Sequence, residues 1–470
     1  MNEFYREVAS RLKGLKKVDG LMDISQKSSK LDKKGKSENI IFSNMTVPSH
    51  INHLTINVFA AAQQHFNDFV GCFLDKVVDQ KNGVLVFPSI KSNTKVKIHF
   101  FNKEVELRFV FKELKKSHLL YSDKNSKISE VTQEINSLLN DKIQNINLFF
   151  IPDYQNHRDD KKRDPKQLIH IALRQLHQQV QFINYRYLEK IFGVYHPNRE
   201  IDKPANKLHR FRSAFLDGLS KTGIHQHIET KWEEDVVQIG LDIIKLDKNE
   251  IYCLTKQENE NVFIKAIGQT RWYLYSDYPT FWEDLLELPY PKNDRQQWGI
   301  DGLAAEICKE KKHVLLTISA SVRQKVPFLQ NGEISSGNPF MKMGNVTLIR
   351  TDHWSVPDYY TRGIKNNEWA NTQVDGLFSF NDYIVFSLAS RGDQIKSQLG
   401  KSRLDEEEQT FFKKKNLIEF LIFKSNQTKL SNEEILQFIH TTRKQNVSYD
   451  SYTNEPQILY YIEQIVNDYK

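Results

Sequence analysis

VVQIGLDIIKL (236–246), EIYCLT (250–255) and VFIKAIG (262–268) are three short apolar runs, the first two joined by the turn residues Asp247-Lys248-Asn249. Each is rich in β-branched or aromatic residues and is too short for a helix of ordinary length, so together they read as a three-stranded β-meander. WEDLLEL (282–288) and a helix through GLAAEICKE (302–310) follow, then the strands HVLLTIS (313–319) and NVTLIRT (345–351). GLFSFNDYIVFSLAS (376–390) reads as a hairpin and LIEFLIF (417–423) as a further strand. Two helices close the chain, one opened by the Ser431…Glu434 capping box and one running through ILYYIEQIVNDY (458–469). Three antiparallel strands followed by alternating helices and strands is the element order of an RNase H-like fold, expected over 229–470.

Upstream, TINVFAAAQQHFNDFVGCFLDKVV (55–78) has helical apolar spacing. GVLVFPSI (83–90), KVKIHFF (95–101) and VELRFVF (105–111) read as strands, ISEVTQEINSLLNDKI (128–143) as a helix and INLFFIP (146–152) as a strand leading to a long helix from Asp164. Alternating strands and helices predict an α/β, Rossmann-like domain with a parallel sheet over 91–228. A helical and strand extension is expected over 41–90. Residues 1–40 hold ten Lys/Arg and few large apolar side chains after Leu21, which predicts a basic flexible or linker segment.

The chain has 470 residues and a net charge of +7. Residues 158–212 alone hold 13 Lys/Arg against 6 Asp/Glu, so one stretch equals the excess of the whole chain. Clustered cations of this kind suit a polyanion, because phosphate binding releases counterions. The apolar runs stay below the ~18 residues of a membrane span, and MNEFYREVASRLKG lacks a secretory apolar core, so a cytoplasmic protein without membrane contact is expected. Cys72, Cys253 and Cys308 lie far apart, against a disulfide framework or a zinc knuckle. Neither GxxxxGK[ST] nor G-x-S-x-G occurs, which disfavours a nucleotide-driven motor and a serine hydrolase.

DPKQLIHIALRQLHQQVQFINY (164–185) carries the most chemistry. Asp164 suits an N-cap and Pro165 the first helical position. Ile169, Ala172, Leu173, Leu176, Val180 and Ile183 fall at three- and four-residue intervals and predict one buried helix face through Tyr185. Lys166, His170, Arg174, His177 and Gln181 then form a single stripe beginning at the helix N-terminus, where free N–H groups and the helix dipole favour an anion.

At this helix the sequence resembles the MID domain of the prokaryotic PIWI-RE family, relatives of Argonaute. The matching residues are Asp164-Pro165-Lys166, Arg174 and Gln181-Phe182-Ile183. KLHRFRSAFLDGLSKTGI (207–224) is similar to that family's basic helix, bringing in Lys207, Arg210 and Arg212. SASVRQKVPFLQNGEI is similar to a segment built around Arg323 and Asn331, and the 374–390 hairpin and closing helix pair also have counterparts. The resemblance runs from Asp164 to the C-terminus. It implies a Rossmann-like MID domain and an RNase H-like PIWI domain, preceded here by less chain than the family usually carries. The implied function is binding of a short guide nucleic acid by its 5′ end, with Lys166, His170, Arg174, His177, Gln181, Lys207, Arg210, Arg212 and Arg323 as contacts. Pairing with a complementary target, a role in bacterial defence, and helicase, nuclease or N-terminal-domain partner proteins are implied with it.

Nuclease chemistry on an RNase H-like sheet needs three or four carboxylates around two divalent ions, Mg²⁺ or Mn²⁺. Asp242, inside the first apolar strand, and Asp352, ending a later one and similar to Argonaute's Arg-Asp-Gly step, are the candidate catalytic metal ligands; the two strands are expected to be neighbours. Mg²⁺ or Mn²⁺ at the guide 5′ end is the other expectation. Glu283, Asp284 and Glu287 fall in a helix, and HVLLTISASVRQ offers serines in place of an acid. The balance favours a binding protein that does not cleave, with an active endonuclease and a non-guide-binding scaffold subunit as alternatives.

Overall fold

In the computed structural model, residues 16–17, 40–74, 79–81, 84–86, 88–114, 127–139, 145–152, 164–185, 204–229, 235–246, 249–288, 300–307, 309–323, 325–326, 329, 340, 343–353, 356, 359–363, 376–379, 384–390, 411–424, 430–448 and 452–469 are described. Nearly all of the basic 1–40 segment lies outside them, as do 158–163 and 186–203 of the cation-rich stretch. The chain divides into two compact units. The first comprises 27–227, 273–287 and 468–470, the second 1–26, 228–272 and 288–467.

The first unit is built on a five-stranded sheet. Its strands are β1 (His53–Ala60), β2 (Thr94–His99), β3 (Glu104–Glu113), β4 (Asn145–Pro152) and β5 (Val180–Tyr185), in the order β2-β3-β1-β4-β5. β3, β1, β4 and β5 are mutually parallel and β2 is an antiparallel edge. Helix α1 (Gln63–Phe73) follows β1, α2 (Ile128–Leu138) precedes β4, α3 (Lys166–Gln175) follows it and α4 (Pro204–Lys221) follows β5. On one face Val131, Ile135, Ile169, Ala172 and Leu173 of α2 and α3 pack with Phe59, Phe149 and Val180. On the other, Phe69 meets Phe150, Phe211 and Phe215 edge-on at centroid distances of 6.2, 5.8 and 6.2 Å.

Two expectations are corrected here. The helical reading of 55–78 fails in its first third, because Thr55–Ala60 belongs to β1 and the helix begins at Gln63. β1 is a central parallel strand, buried on both faces, so its apolar residues run on without the polar alternation that marks a half-exposed strand. The sheet therefore takes its centre from residues before 91 rather than from 91–228 alone. The helix expected over 164–185 is also two elements: α3 stops at Gln175 and β5 starts at Val180. Between them His177 adopts φ +56°. The N–H of His177 donates to Arg174 O and that of Gln178 to Leu173 O, both at 2.8 Å. These are the two bonds of a Schellman stop, with histidine in the left-handed position usually given to glycine.

The second unit is built on a larger sheet. The meander is present as β6 (Val236–Leu246), β7 (Asn249–Glu258) and β8 (Asn261–Ala266), antiparallel in sequence. β9 (His313–Ile318) runs parallel to β6, and β10 (Val346–Asp352) parallel to β9. The order β8-β7-β6-β9-β10 is that of an RNase H-like sheet, and the chain is a mixed α/β protein combining it with a Rossmann-like sheet. β11 (Ile384–Ser390) and β12 (Phe411–Phe423) extend it antiparallel beyond β10. Helices α5 (Tyr278–Leu286), in the first unit, and α6 (Ile300–Ile307) come between β8 and β9, and the short α7 (Ala320–Arg323) follows β9. Last come α8 (Asn432–Thr442), opened by the expected Ser431–Glu434 capping box, and α9 (Gln457–Tyr469). At Gly240 on β6 an added Cβ would lie 2.8 Å from Ile458 O, so α9 can start against the sheet only where β6 lacks a side chain. The Thr255 hydroxyl donates to that same carbonyl.

Candidate nucleic-acid interface and carboxylate cluster

The parallel order β3-β1-β4-β5 reverses direction between β1 and β4, and open α/β sheets take ligands at the carboxyl ends of the strands beside such a reversal. α3 begins just past the carboxyl end of β4. Asp164 Oδ1 accepts the Lys166 N–H at 3.1 Å, and Pro165 already has helical dihedrals, as the sequence predicts. Lys166, His170 and Arg174 lie along one side of α3. The Lys166 ammonium is 3.6 Å from Asp164 and 6.0 Å from the centre of the Phe182 ring, against which His170 packs edge-on at 4.9 Å. Burial, and then the Lys221 cation, pull the His170 pKa down to about 4, so the ring is neutral at pH 7. Neutral imidazole still offers one N–H donor.

Sequence reasoning missed Lys221, the last residue of α4. Its ammonium bonds Val180 O at 3.0 Å and Asp468 at 2.7 and 2.8 Å, and the Tyr278 hydroxyl donates to the same carboxylate at 2.8 Å. Lys221 and Asp468 are 247 residues apart in sequence, so no local pattern could have joined them. Arg174 is paired as well, with its Nε 2.5 Å from Glu283 Oε1 and its guanidinium 5.8 Å from the Tyr469 ring centre. Glu283 thus serves this cluster and not the carboxylates of the second unit. His177 and Gln181 leave the expected stripe. His177 sits in the turn, and strand alternation puts Gln181 on the face of β5 opposite Val180 and Phe182. Arg210 and Arg212 are half-buried on α4, and the side chain of Lys207 lies outside the described residues.

In the second unit Asp242 and Asp352 stand on β6 and β10, and β9 lies between those strands, so they are not neighbours. The residues beside Asp242 are the serines that follow β9. Ser319 N–H donates to Leu241 O at 3.0 Å, the Ser321 hydroxyl donates to Asp242 Oδ1, and the Ile243 N–H reaches the same oxygen at 2.7 Å. Burial drives the Asp242 pKa up to about 6 against those hydrogen bonds, with the Glu455 charge adding to the rise. Asp352, with a side chain only 2% exposed, is met by Arg323 Nη1 at 2.5 Å. Arg323, expected on nucleic acid, is therefore the counter-ion of a candidate metal ligand. Glu455, just before α9, is a further acid that the sequence did not single out. It accepts from Thr351 at 2.6 Å and contacts His353 Nδ1 at 2.8 Å. Burial opposes the His353 cation, but the hydrogen bond and charge of Glu455 outweigh it and raise its pKa.

These donors do not fit a divalent pair. Asp352 is satisfied by a guanidinium and Asp242 by hydroxyl and amide donors. Among the described residues no group of three His, Cys, Asp or Glu is placed to hold a metal ion. No helix among them is long and apolar enough to cross a membrane.

No protein-family model and no curated protein matches the chain. Solved structures do. An Argonaute of Clostridium butyricum, bound to a guide DNA and a target DNA, is 12% identical over 90% of this chain and 49% of its own, with a TM-score of 0.47. Drosophila Piwi is 11% identical over 90% of this chain and 49% of its own, TM-score 0.43. The C-terminal lobe of a budding yeast Argonaute is 9% identical over 96% of this chain and 84% of its own, TM-score 0.42. The chain spans about half the length of the Clostridium and Drosophila chains.

Proposed function

We propose that the chain is an Argonaute-like protein of the PIWI-RE type that holds a short guide nucleic acid by its 5′ end and presents it for pairing with a target. The carrying observation is the position of the α3 stripe. Lys166 opens α3 beside the strand-order reversal of a parallel sheet, His170 stands one turn further on, and the charge of Lys221 reaches the His170 ring. A terminal phosphate suits that place: N–H donors, one ammonium, one neutral imidazole donor and a second, buried ammonium.

The chain binds without cleaving. Supporting this, serines follow β9 beside Asp242, and Arg323 balances Asp352. Target cleavage in a cell would then fall to a nuclease partner, with helicase or N-terminal-domain subunits supplying further functions in bacterial defence. One observation favours the scaffold alternative, namely that Arg174 and Lys221 are already neutralised from within by Glu283 and Asp468.

Sequencing nucleic acid co-purified from the native host tests the reading. Short species of uniform length with a defined 5′ end are expected. Their absence from protein purified at low salt would leave the scaffold alternative standing.

A further inference from the structure

The hairpin joining β2 to β3 turns through Phe101 and Asn102, with the Phe100 N–H donating to Lys103 O at 2.9 Å. Its tip is pinned to the 44–49 segment. The Phe101 N–H donates to Met45 O at 2.9 Å. The Asn102 side chain accepts from the Val47 N–H at 2.9 Å and donates to Val47 O at 2.8 Å. The Lys103 ammonium donates to Pro48 O and Ser49 O, both at 2.8 Å. The same segment holds His227, whose N–H donates to Asn44 O at 2.7 Å. Its imidazole lies flat on the Phe101 ring, at a centroid distance of 3.4 Å and an interplanar angle of 15°. Phe101 is nevertheless 52% exposed. One face of a firmly held ring is thus covered by imidazole and the other is open to solvent.

The hairpin is also cationic: residues 91–108 hold five Lys/Arg against two Asp/Glu. Lys95 and Lys97 share one face of the edge strand β2, are 58% and 71% exposed, and pair with Glu106 and Glu104 across the hairpin. Exposed pairs of this kind contribute little, so both ammoniums can take a phosphate in place of a carboxylate. Edge lysines alone would serve to block pairing with another sheet, but an aromatic ring fixed outwards beside them invites association. We propose that this hairpin is a second nucleic-acid contact, for an unpaired strand: one base stacks on the open face of Phe101, and phosphates further along the strand reach Lys97 and Lys95. An aromatic platform beside a cationic track holds unpaired strands with little regard to sequence. The tip lies at the amino-terminal end of β3, whereas α3 lies beyond the carboxyl-terminal end of β4, and both strands run parallel to β1. The hairpin is therefore at the opposite end of the sheet from the 5′-end site and does not rest on that reading.

The test measures binding of a 3′-fluorescein-labelled, 5′-hydroxyl single-stranded oligonucleotide to the full chain, so that no terminal phosphate contributes. Phe101→Ala and Phe101→Leu should each weaken it about tenfold, the loss of one stacked base. Phe101→Trp should bind at least as tightly as wild type, and the emission of its added indole should be quenched by the strand. Lys95→Ala combined with Lys97→Ala should make the salt dependence shallower by about 1.4 on log–log axes, for two single-strand phosphate contacts at about 0.7 each. Phe101→Ala or Phe101→Leu binding as wild type does, an unquenched Trp, or an unchanged salt slope overturns the proposal and leaves the exposed ring to a protein partner. A wild type that binds a 5′-phosphorylated strand but not the 5′-hydroxyl one overturns the hairpin contact alone, and one that binds neither overturns the 5′-end reading as well.

Discussion

The first unit gathers cations around α3 and the second gathers carboxylates around β6 and β10, and each cluster is balanced from within, but by different means. Lys221 is balanced by Asp468 of α9, which also accepts from Tyr278. Asp352, at the end of β10, is balanced by Arg323, the last residue of α7. In the first pair the enclosed member is the cation, Lys221 at 4% against 15% for Asp468, and in the second it is the anion, Asp352 at 2% against 22% for Arg323. An enclosed cation calls for an anion and an enclosed carboxylate for a cation, so the two clusters suit opposite partners.

The largest expected effect breaks the second pair. Arg323→Ala leaves a buried, uncompensated carboxylate and should lower stability by about 3 kcal/mol, the low end for a broken buried pair because Arg323 is itself partly exposed. Adding Asp352→Asn should restore most of the loss in urea denaturation. Rescue by millimolar Mg²⁺ instead would mean that Asp352 is a metal ligand.

The two clusters should also respond oppositely to acid. Asp242 titrates at about 6 when folded against an ordinary 3.8, so the folded protein binds the proton more tightly and gains stability as pH falls from about 6 towards 3.8. His170 titrates at about 4 against 6.5, so the unfolded chain binds the proton more tightly and stability is lost as pH falls from about 6.5 towards 4. Each shift of some two pH units corresponds to about 3 kcal/mol at most, and the two nearly cancel in the wild type. Asp242→Asn should be more stable than wild type at pH 7.5 and lose stability on acidification. His170→Gln should gain stability on acidification. Two flat, superimposable pH profiles would show that neither group is buried as described.

These contrasts mark what the sequence could and could not disclose. The meander, the strands β9 and β10, the α8 capping box and the Asp164–Pro165 start were legible because each is local: a run of β-branched residues, a cap, a fixed φ. The end of α3 was not. Val180 and Ile183 fit helical spacing as well as they fit a strand, and the left-handed residue is His177 where glycine would have announced a stop. β1 was hidden by its burial on both faces. The insertion of β9 between Asp242 and Asp352, and the Lys221–Asp468 pair, depend on sheet order and on contacts hundreds of residues apart.

The smallest expected effect sharpens that boundary. His177→Gly should raise stability by about 0.5–1 kcal/mol, since glycine adopts φ +56° without penalty. A helix continuing through 177 would instead lose about 1 kcal/mol on the same change.

The central claim is that the cation cluster reads a terminal phosphate. Its most direct test compares the affinities of 5′-phosphorylated and 5′-hydroxyl oligonucleotides of one sequence for wild type and for Lys166→Ala. The wild type should prefer the phosphorylated end about tenfold, the worth of one charge-assisted hydrogen bond. Lys166→Ala should bring that ratio close to one and leave the 5′-hydroxyl affinity nearly unchanged. Equal wild-type affinities for the two ends, or a variant that weakens both alike, would contradict the account.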